Sequence, residues 1–590
     1  MEIITENGER FDVTAGYSFD LEFINPLLSD VGSQSAPGTL PYTPRNLRLL
    51  GFPDRIDNVF RPRPKRPVII REGAFQKPAS QVLMKATVKD KIVTTFYLDE
   101  AIFYEKIKTI NMTEVNYGTP RKMTVRQLFN LCEDVMFLRR TDDFHLFPVI
   151  SNYDVSDGEV VKNNVILNKV AFNRATFTAS LLDQSLYGIT VDDTPVSVPF
   201  GYGVSPFLKV SFILRKVIEH LGYALENNVF EIDVDLRQLV LVNNVADAIV
   251  KGELNYAQLV PTCTVSDFIK TLRDKFGVCF IVNEVAKTIT LAFLRDKLTA
   301  APDLDLTPFA TAPPSIEWGQ PQRMHLSAET SITGAAPAVE SVDDLVRRYG
   351  PINFIATSGT KLSWPFNALY FVRAENVFLV KERTGTGQIP KFLRFSPLFD
   401  FTTPGEGDLV DTASLDEQLP LFAAYYYDPE SKEEHRYILP GVMETALVNS
   451  TLTYSDSDKE QTEAKRDTPI MFCFSLPRLQ QQLAPLPAGT TAAYDWSGSG
   501  WSNVSLNIAY DHALAGLYYA PYSHFLSYSN FAVNCLLRLP LSRLQTLDLS
   551  TPKLLFNQPI LVERIKCRIG TGIFEITETI FRTLKSYEDA

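Results

Sequence analysis

The stretch TVSDFIKTLRDKFGVCFIVNEVAKTITLAFLRDKL, residues 264 to 298, carries the clearest structural signal in the chain. Thr264 and Asp267 have the spacing of a capping box, which begins a helix by satisfying its first free N–H groups. Gly277 is suited to end that helix. The pattern predicts two buried faces, one on the helix and one on the second strand after it: Val265, Ile269, Leu272 and Phe276, then Ile289, Leu291 and Phe293. The stretch therefore predicts a helix–hairpin unit, a helix followed by two antiparallel strands.

The helix–hairpin unit belongs to a chain that is too long for one hydrophobic core. The chain has 590 residues, whereas single domains usually contain roughly 100–200. Strand-like alternation dominates elsewhere, and a second capping box at Thr124 and Gln127 predicts another helix. We expect a β-rich α+β multidomain protein. The expected domains are an N-terminal β-rich domain (1–200), the helix–hairpin domain (201–300), a β-rich middle domain (301–480) and a C-terminal β-rich domain (481–590).

The charge and cysteine content disfavour several classes of protein. A net charge of −12 and a pI near 5.2 argue against a protein whose main work is binding phosphates. The six cysteines show no CxxC spacing, so neither a disulfide framework nor a zinc site is expected. No apolar run approaches the ~18 residues of a membrane span, and no secretion signal is visible. We expect a soluble protein made in a reducing cytoplasm.

Residues 25–67 have no regular periodicity and are predicted to form one long extended arm. The segment is rich in Pro, Gly and Ser, yet apolar side chains recur along it: Leu27, Leu28, Leu40, Tyr42, Leu47, Leu49, Leu50 and Phe52. A purely solvated linker would not carry so many apolar side chains. Irregular segments of this length are usually functional or bound to a partner. We therefore expect the arm to lie across an adjacent subunit.

The arm ends in a basic, proline-rich run, FRPRPKRP, at residues 60–67. Its cations are Arg61, Arg63, Lys65 and Arg66. By itself the run fits a nucleic-acid contact, a nuclear import signal or an arm that docks on a protein. The acidic balance of the chain favours docking, with these cations paired to carboxylates of a neighbouring copy. Contact with DNA is not expected.

Trp496 and Trp501, in a segment rich in Ser and Gly, are candidates for stacking on sugar rings. A glycan contact is one interpretation of this pair, and a hairpin tip that packs on a neighbour is the other. A glycoside hydrolase would also need two carboxylates at a fixed separation, and no such pair is recognisable.

The sequence contains no signature of catalysis or of a bound cofactor. The six histidines are scattered, and no GxSxG elbow, Walker A motif or GxGxxG motif accompanies them. The acidic loops lack the Gly and Glu spacing of an EF-hand. We therefore expect neither an enzyme nor a metal or cofactor site. A cell-wall hydrolase domain within residues 316–510 remains the alternative.

Three passages together resemble tail hub and baseplate proteins of tailed bacteriophages and prophages. They are the helix–hairpin unit, the segment NPLLSDVGSQSAPGTLPYTPRNLRLLGFP (25–53), and the C-terminal passage that ends in LVERIKCRIGTGIFEITETIFRTL. The resemblance covers about half of the chain in separated blocks, and residues 316–510 match nothing.

This resemblance implies hub-like β-barrel domains and a trimeric hub at the virion tail tip, assembled in the host bacterial cytoplasm. The implied partners are further copies of the chain, the tail tube, the tape-measure protein and the distal tail or baseplate proteins. A receptor- or carbohydrate-binding tail component, such as a distal tail protein or an adhesin, is the alternative.

Overall fold

A computed structural model gives the architecture of the chain. It describes all residues except 30–32, 59–64, 74, 99, 157–158, 174–177, 192–193, 333–340, 356–362, 384, 386–389, 398–399, 429–432, 450–467, 481–484, 492–503, 510–511, 530 and 585–590.

The first 200 residues are dominated by strands. The strands are β1 Glu2–Thr5, β2 Ser18–Ile24, β3 Gln34–Ser35, β4 Gly38–Pro41, β5 Arg66–Glu72, β6 Phe75–Ala86, β7 Lys91–Leu98, β8 Arg121–Lys122, β9 Phe144–His145, β10 Val149–Ser156, β11 Glu159–Leu167, β12 Val170–Asn173, β13 Thr178–Leu181, β14 Ile189–Val191 and β15 Thr194–Val196. The helices are α1 Pro44–Leu49, α2 Glu100–Ile107 and α3 Val125–Met136.

Residues 201–300 mix the two element types. They form β16 Phe207–Lys209, β17 Ala224–Asn227, β18 Leu239–Leu241, β19 Glu253–Leu254, β20 Val278–Asn283 and β21 Thr288–Phe293, with α4 Val210–His220, α5 Val229–Ile232, α6 Val265–Phe276 and α7 Leu294–Leu298.

Strands dominate again after residue 300, and short helices return near the C-terminus. The strands are β22 Ser315–Glu317, β23 Gln322–Glu329, β24 Asn353–Ile355, β25 Leu369–Val372, β26 Val377–Glu382, β27 Lys391–Phe395, β28 Asp400–Thr402, β29 Asp408–Glu417, β30 Leu421–Asp428, β31 Glu433–Pro440, β32 Ile470–Gln480, β33 Pro485–Thr490, β34 Ala532–Asn534, β35 Lys553–Leu555, β36 Gln558–Gly570 and β37 Ile573–Thr583. The helices are α8 Val342–Tyr349, α9 Leu514–Tyr518, α10 Ala520–His524 and α11 Leu541–Thr546.

The structure confirms the predicted helix–hairpin unit. In α6 the Thr264 hydroxyl accepts from the N–H of Asp267, and Gly277 ends the helix with a left-handed φ of 58°. Strands β20 and β21 pair antiparallel in the register Phe280 to Leu291. All seven side chains predicted to face inward are buried. The second predicted helix is confirmed as α3, which begins after Thr124.

The largest sheet contains strands from both ends of the chain. It has 12 strands in the order β1-β5-β6-β7-β3-β2-β36-β37-β34-β22, with β4 beside β7 and β35 beside β36. At its centre β2 pairs antiparallel with β36, so that Phe19 lies opposite Ile569. The predicted N-terminal and C-terminal segments therefore share one sheet and one core.

An 8-stranded sheet forms the second large layer, in the order β28-β23-β29-β32-β18-β16-β9 with β33 beside β32. Helix α6 is joined to this sheet by a buried ion pair, in which Lys275 Nζ lies 2.8 Å from Asp416 Oδ2 in β29. The two side chains are 0% and 2% exposed.

The coarse prediction of a β-rich α+β architecture is confirmed, with eleven α-helices in the described part of the chain. None of the sheets formed by the described strands closes on itself, so the hub-like β-barrel domains are not found within one copy. No helix among the described residues is long and apolar enough to cross a membrane.

A small domain is inserted into the 8-stranded sheet. Strands β23 and β28 pair antiparallel, with His325 opposite Thr402. Between them the chain forms α8 and a 4-stranded sheet in the order β24-β25-β26-β27. We call residues 341–396 the inserted domain.

Candidate functional site

The inserted domain is organised by one capped helix on a small sheet. Ser341 caps α8 by accepting a hydrogen bond from the N–H of Asp344. The first turn carries Asp343 and Asp344, and the last turn carries Arg347 and Arg348. This distribution suits the helix dipole, which favours acidic groups at the start and basic groups at the end. The helix therefore places its two arginines at its C-terminal end.

Both faces of the small sheet bury apolar side chains. One face packs against α8 and forms a cluster: Val342, Leu345, Tyr349, Leu369, Phe371, Phe378 and Val380. The other face buries Val372, Val377 and Leu379. A second buried ion pair lies here, with Arg394 Nη2 3.0 Å from Glu375 Oε2 and side-chain exposures of 3% and 0%. The domain therefore has a core of its own.

Four exposed cations converge at one end of the inserted domain, and we call Arg347, Arg348, Arg383 and Lys391 the cationic tip. Arg348 and Lys391 lie beside the carboxylate of Glu382, whereas Arg347 forms an ion pair with Asp344. Lys391 is opposite Glu382 in the register of β26 and β27, and Arg383 follows it in the chain. Arg348 Nη2 lies 3.8 Å from Glu382 Oε1.

Neighbouring groups hold Glu382 in place among the cations. The Tyr349 hydroxyl donates to Glu382 Oε1 at 2.8 Å. Burial and this hydrogen bond raise the pKa of Tyr349, so the phenol remains a donor at neutral pH. The four exposed cations outnumber the two carboxylates that pair with them, Glu382 and Asp344, so this end of the domain is positively charged.

The cationic tip lies at the far end of the domain from its attachment to the rest of the chain. The chain enters at residue 341, where α8 begins, and leaves at 396, where β27 has ended. The tip is formed by the opposite ends of these elements. At the attached end the side chains of Asn376 and Asn507 hydrogen-bond at 2.6 Å. The cations therefore project away from the body of the protein.

An aromatic side chain adjoins the cationic tip. Phe366 is 38% exposed, and Arg383 and Lys381 lie 5.0 Å and 4.4 Å from its ring centroid. Lys381 also donates to the Trp364 carbonyl oxygen at 2.9 Å, and the ring of Trp364 stacks on Tyr370 at 4.3 Å. Cation–π geometry of this kind fixes the long cationic side chains over an apolar surface.

The charge of the inserted domain is opposite to that of the whole chain. Residues 341–396 contain eight Lys and Arg against four Asp and Glu, a net charge of +4, so the remaining residues carry −16. A positive projection on an acidic chain is suited to bind a negatively charged surface.

The arm predicted over residues 25–67 packs largely against its own chain. Leu40, Leu47 and Leu50 are buried in the core around the 12-stranded sheet, and Leu27 is buried in the core around α6. The remaining predicted anchors are partly buried against the same cores: Leu28, Tyr42, Leu49 and Phe52. A side chain buried in its own core cannot also fill a pocket of a neighbour. These four leucines pack within their own chain, and the inter-subunit role of the arm stays a prediction.

The other predicted site residues are only partly described. Lys65 forms an ion pair with Glu105 of the same chain. Arg66 begins β5, opposite Gln81, and burial lowers its pKa. Arg61, Arg63, Trp496 and Trp501 lie outside the described residues.

None of the site residues predicted from the sequence belongs to the cationic tip. Its four cations lie in or directly beside α8, β26 and β27 and span 44 positions, from Arg347 to Lys391. No short motif therefore marks them. A running count of charge along the chain would have shown the positive segment. Within the described residues, no group of three or more His, Cys, Asp and Glu side chains could hold a metal ion.

Comparisons with known proteins add no assignment: no protein-family model matches the chain, and no curated protein matches it.

Proposed function

We propose that the protein is a structural subunit of a bacteriophage tail tip, a trimeric hub that joins the tail tube to the distal tip. The observation that carries the proposal is the cationic tip, an exposed positive projection on an otherwise acidic chain. Subunits of an assembly need such complementary charged surfaces, because these surfaces orient the correct partners and disfavour binding of incorrect ones. The proposed partners are copies of the same chain, the tube, the tape-measure protein and the distal tail or baseplate proteins.

The open edge of the 12-stranded sheet supports the same proposal. Strand β22 is the last strand of the sheet, and residues 311–321 are exposed throughout. This edge carries Trp318, which is 77% exposed, and Ile316, which is 49% exposed. Exposed strand edges pair readily with other chains. In this proposal the hub-like barrel forms between copies, from sheets that stay open in one copy.

The proposal is tested on virions of the phage or prophage that encodes the chain. An antibody against the protein should label purified particles at the distal end of the tail, and native mass spectrometry should detect a trimer. Label on the capsid, or absence of the protein from purified virions, would overturn the proposal.

A carbohydrate-binding tail component is the second candidate. The observation that favours it is Phe366, which is exposed beside Arg383 and could stack on a sugar of an anionic polysaccharide. Phe366→Ala should then reduce adsorption of the phage to host cells. In both candidates the chain has no catalytic role, and clearing of host cell wall in a zymogram would contradict both.

A further inference from the structure

The structure contains an acidic counterpart to the cationic tip. Residues 400–417 contain six carboxylates and no Lys or Arg. Three of the six have a side-chain partner within the chain: Asp416 with Lys275, Glu417 with Ser331 and Asp411 with His325. Asp411 and the remaining three are exposed, and we call Asp400, Glu406, Asp408 and Asp411 the acidic patch.

Sheet pairing places Asp400 and Asp411 on one face beside β23, opposite Ser327 and His325, while Asp408 begins β29 and Glu406 lies in the loop just before it. Strands β28 and β29 flank β23, so that Thr402 and Asp411 lie on either side of His325. Two basic groups share this region. His325 Nδ1 lies 2.8 Å from Asp411 Oδ1, and Arg323 Nε donates to the Gly407 carbonyl oxygen at 3.2 Å. The carboxylates still outnumber them.

Apolar side chains lie among the carboxylates. Leu409 is 52% exposed and Leu415 is 45% exposed, on the same face of β29 as Asp411. The cationic tip likewise combines charge with the exposed ring of Phe366. Both surfaces therefore offer a charged rim and an apolar side chain, which is the usual make-up of a protein interface.

The cationic tip lies at the end of the inserted domain that is away from the acidic patch of the same chain. The domain ends at residue 396 and β28 begins at 400, so the patch adjoins the attached end of the domain. The tip is at the other end of α8, whose eight residues span about 12 Å.

We propose that the cationic tip of one copy binds the acidic patch of a second copy, head to tail. This inference rests on the proposed function and names the contact by which copies of the subunit associate. A contact between two different surfaces generates a closed ring when its rotation closes. Because its charges are exposed, salt screens the attraction between them, and the contact weakens as the salt concentration rises.

The test is a charge reversal on each side and on both. The tip variant carries Arg347→Glu, Arg383→Glu and Lys391→Glu, and the patch variant carries Asp400→Lys, Glu406→Lys and Asp408→Lys. Asp411 is retained because it holds His325. Sedimentation velocity over a dilution series, at about 0.1 M and about 1 M salt, measures self-association of the full chain.

Each single-sided variant should weaken self-association at least about tenfold, because like charges then face each other. The variant with both sides reversed should recover most of the wild-type association. A matched control carries Lys85→Glu, Lys89→Glu and Lys91→Glu, three exposed lysines of the hairpin formed by β6 and β7. It changes the net charge by the same amount as the tip variant and should associate normally.

Three results would overturn the inference. The wild-type chain could stay monomeric at every concentration, or the doubly reversed variant could fail to recover association although it is folded. The tip variant could also associate normally while losing binding to dextran sulfate, which would assign the tip to an anionic polymer. A monomer that still labels the tail tip would overturn this inference alone, whereas absence from virions would overturn the proposed function.

Discussion

The helix–hairpin unit (264–298) and the inserted domain (341–396) are built alike, from a capped helix and a short sheet, but they use charge differently. In the first, Lys275 is 0% exposed and pairs with Asp416. In the second, Arg347 and Arg348 are 77% and 71% exposed at the end of α8. A buried ion pair stabilises each region, Lys275 with Asp416 in the first and Arg394 with Glu375 in the second. The cations of the tip instead lie at the surface, where a partner can reach them. Burial, rather than the number of charges, separates the two roles.

The largest expected effect comes from breaking the buried ion pair. Lys275→Met should lower the free energy of unfolding by about 3–5 kcal/mol, because Asp416 stays buried without its cation. Denaturant unfolding measures the loss. Adding Asp416→Leu should restore much of it, since the uncompensated charge is then gone. A loss below about 1 kcal/mol is typical of exposed ion pairs. It would contradict the distinction between the buried pair and the exposed cations of the tip.

A smaller effect is expected at the start of α6. Thr264→Ala removes an acceptor for the Asp267 N–H, at 3.1 Å, and should cost about 1 kcal/mol of unfolding free energy. Thr264→Ser retains the hydroxyl and should be nearly neutral in the same denaturant series. Equal losses in both variants would show that the methyl group, and not the cap, stabilises the helix.

A pH-dependent effect is expected near α5. Burial, together with the nearby Asp233 carboxylate, raises the pKa of Asp235 from 3.8 to about 6. The folded state therefore holds this proton more tightly than the unfolded state does, and stability falls as pH rises from about 4 to about 6. Asp235→Asn should raise the melting temperature at pH above 6 and leave it unchanged below 4.

Asp233→Asn provides the contrasting control for that measurement. Asp233 accepts hydrogen bonds from the N–H groups of Asp235 and Leu236, so its replacement weakens a turn. The variant should gain less at neutral pH than Asp235→Asn. An Asp235→Asn gain that is the same at every pH would contradict the ionisation argument.

The smallest effect on stability is expected at the cationic tip. Lys391→Met repeats the chemical change of Lys275→Met at an exposed site and should alter the free energy of unfolding by less than about 0.5 kcal/mol. Comparing the two variants in one denaturant series isolates burial as the variable. A loss at Lys391 as large as that at Lys275 would make the tip a structural element.

Local structure was largely predictable. The bounds of α6 follow from Thr264, Asp267 and Gly277, and the registration of β20 with β21 follows from their alternation across a short turn. In contrast, the packing partner of the apolar side chains in residues 25–58 was not predictable. An irregular segment has the same apolar sequence pattern whether its side chains pack in their own chain or in another. The cationic tip was not predictable for a related reason. Its four side chains come together only when α8 packs beside β26 and β27.

The sequence by itself determined the elements whose signals span a few residues: the capped helices, the hairpin after Gly277 and the opposite charge of the inserted domain. Capping, turn and alternation preferences act between near neighbours, so they can be read locally. Only the tertiary structure decided that β2 pairs with β36 at least 540 residues away, that Lys275 meets Asp416, and that cations gather at one end of a projecting domain. Pairings between distant segments depend on the packing of whole layers, and no short stretch of sequence encodes them.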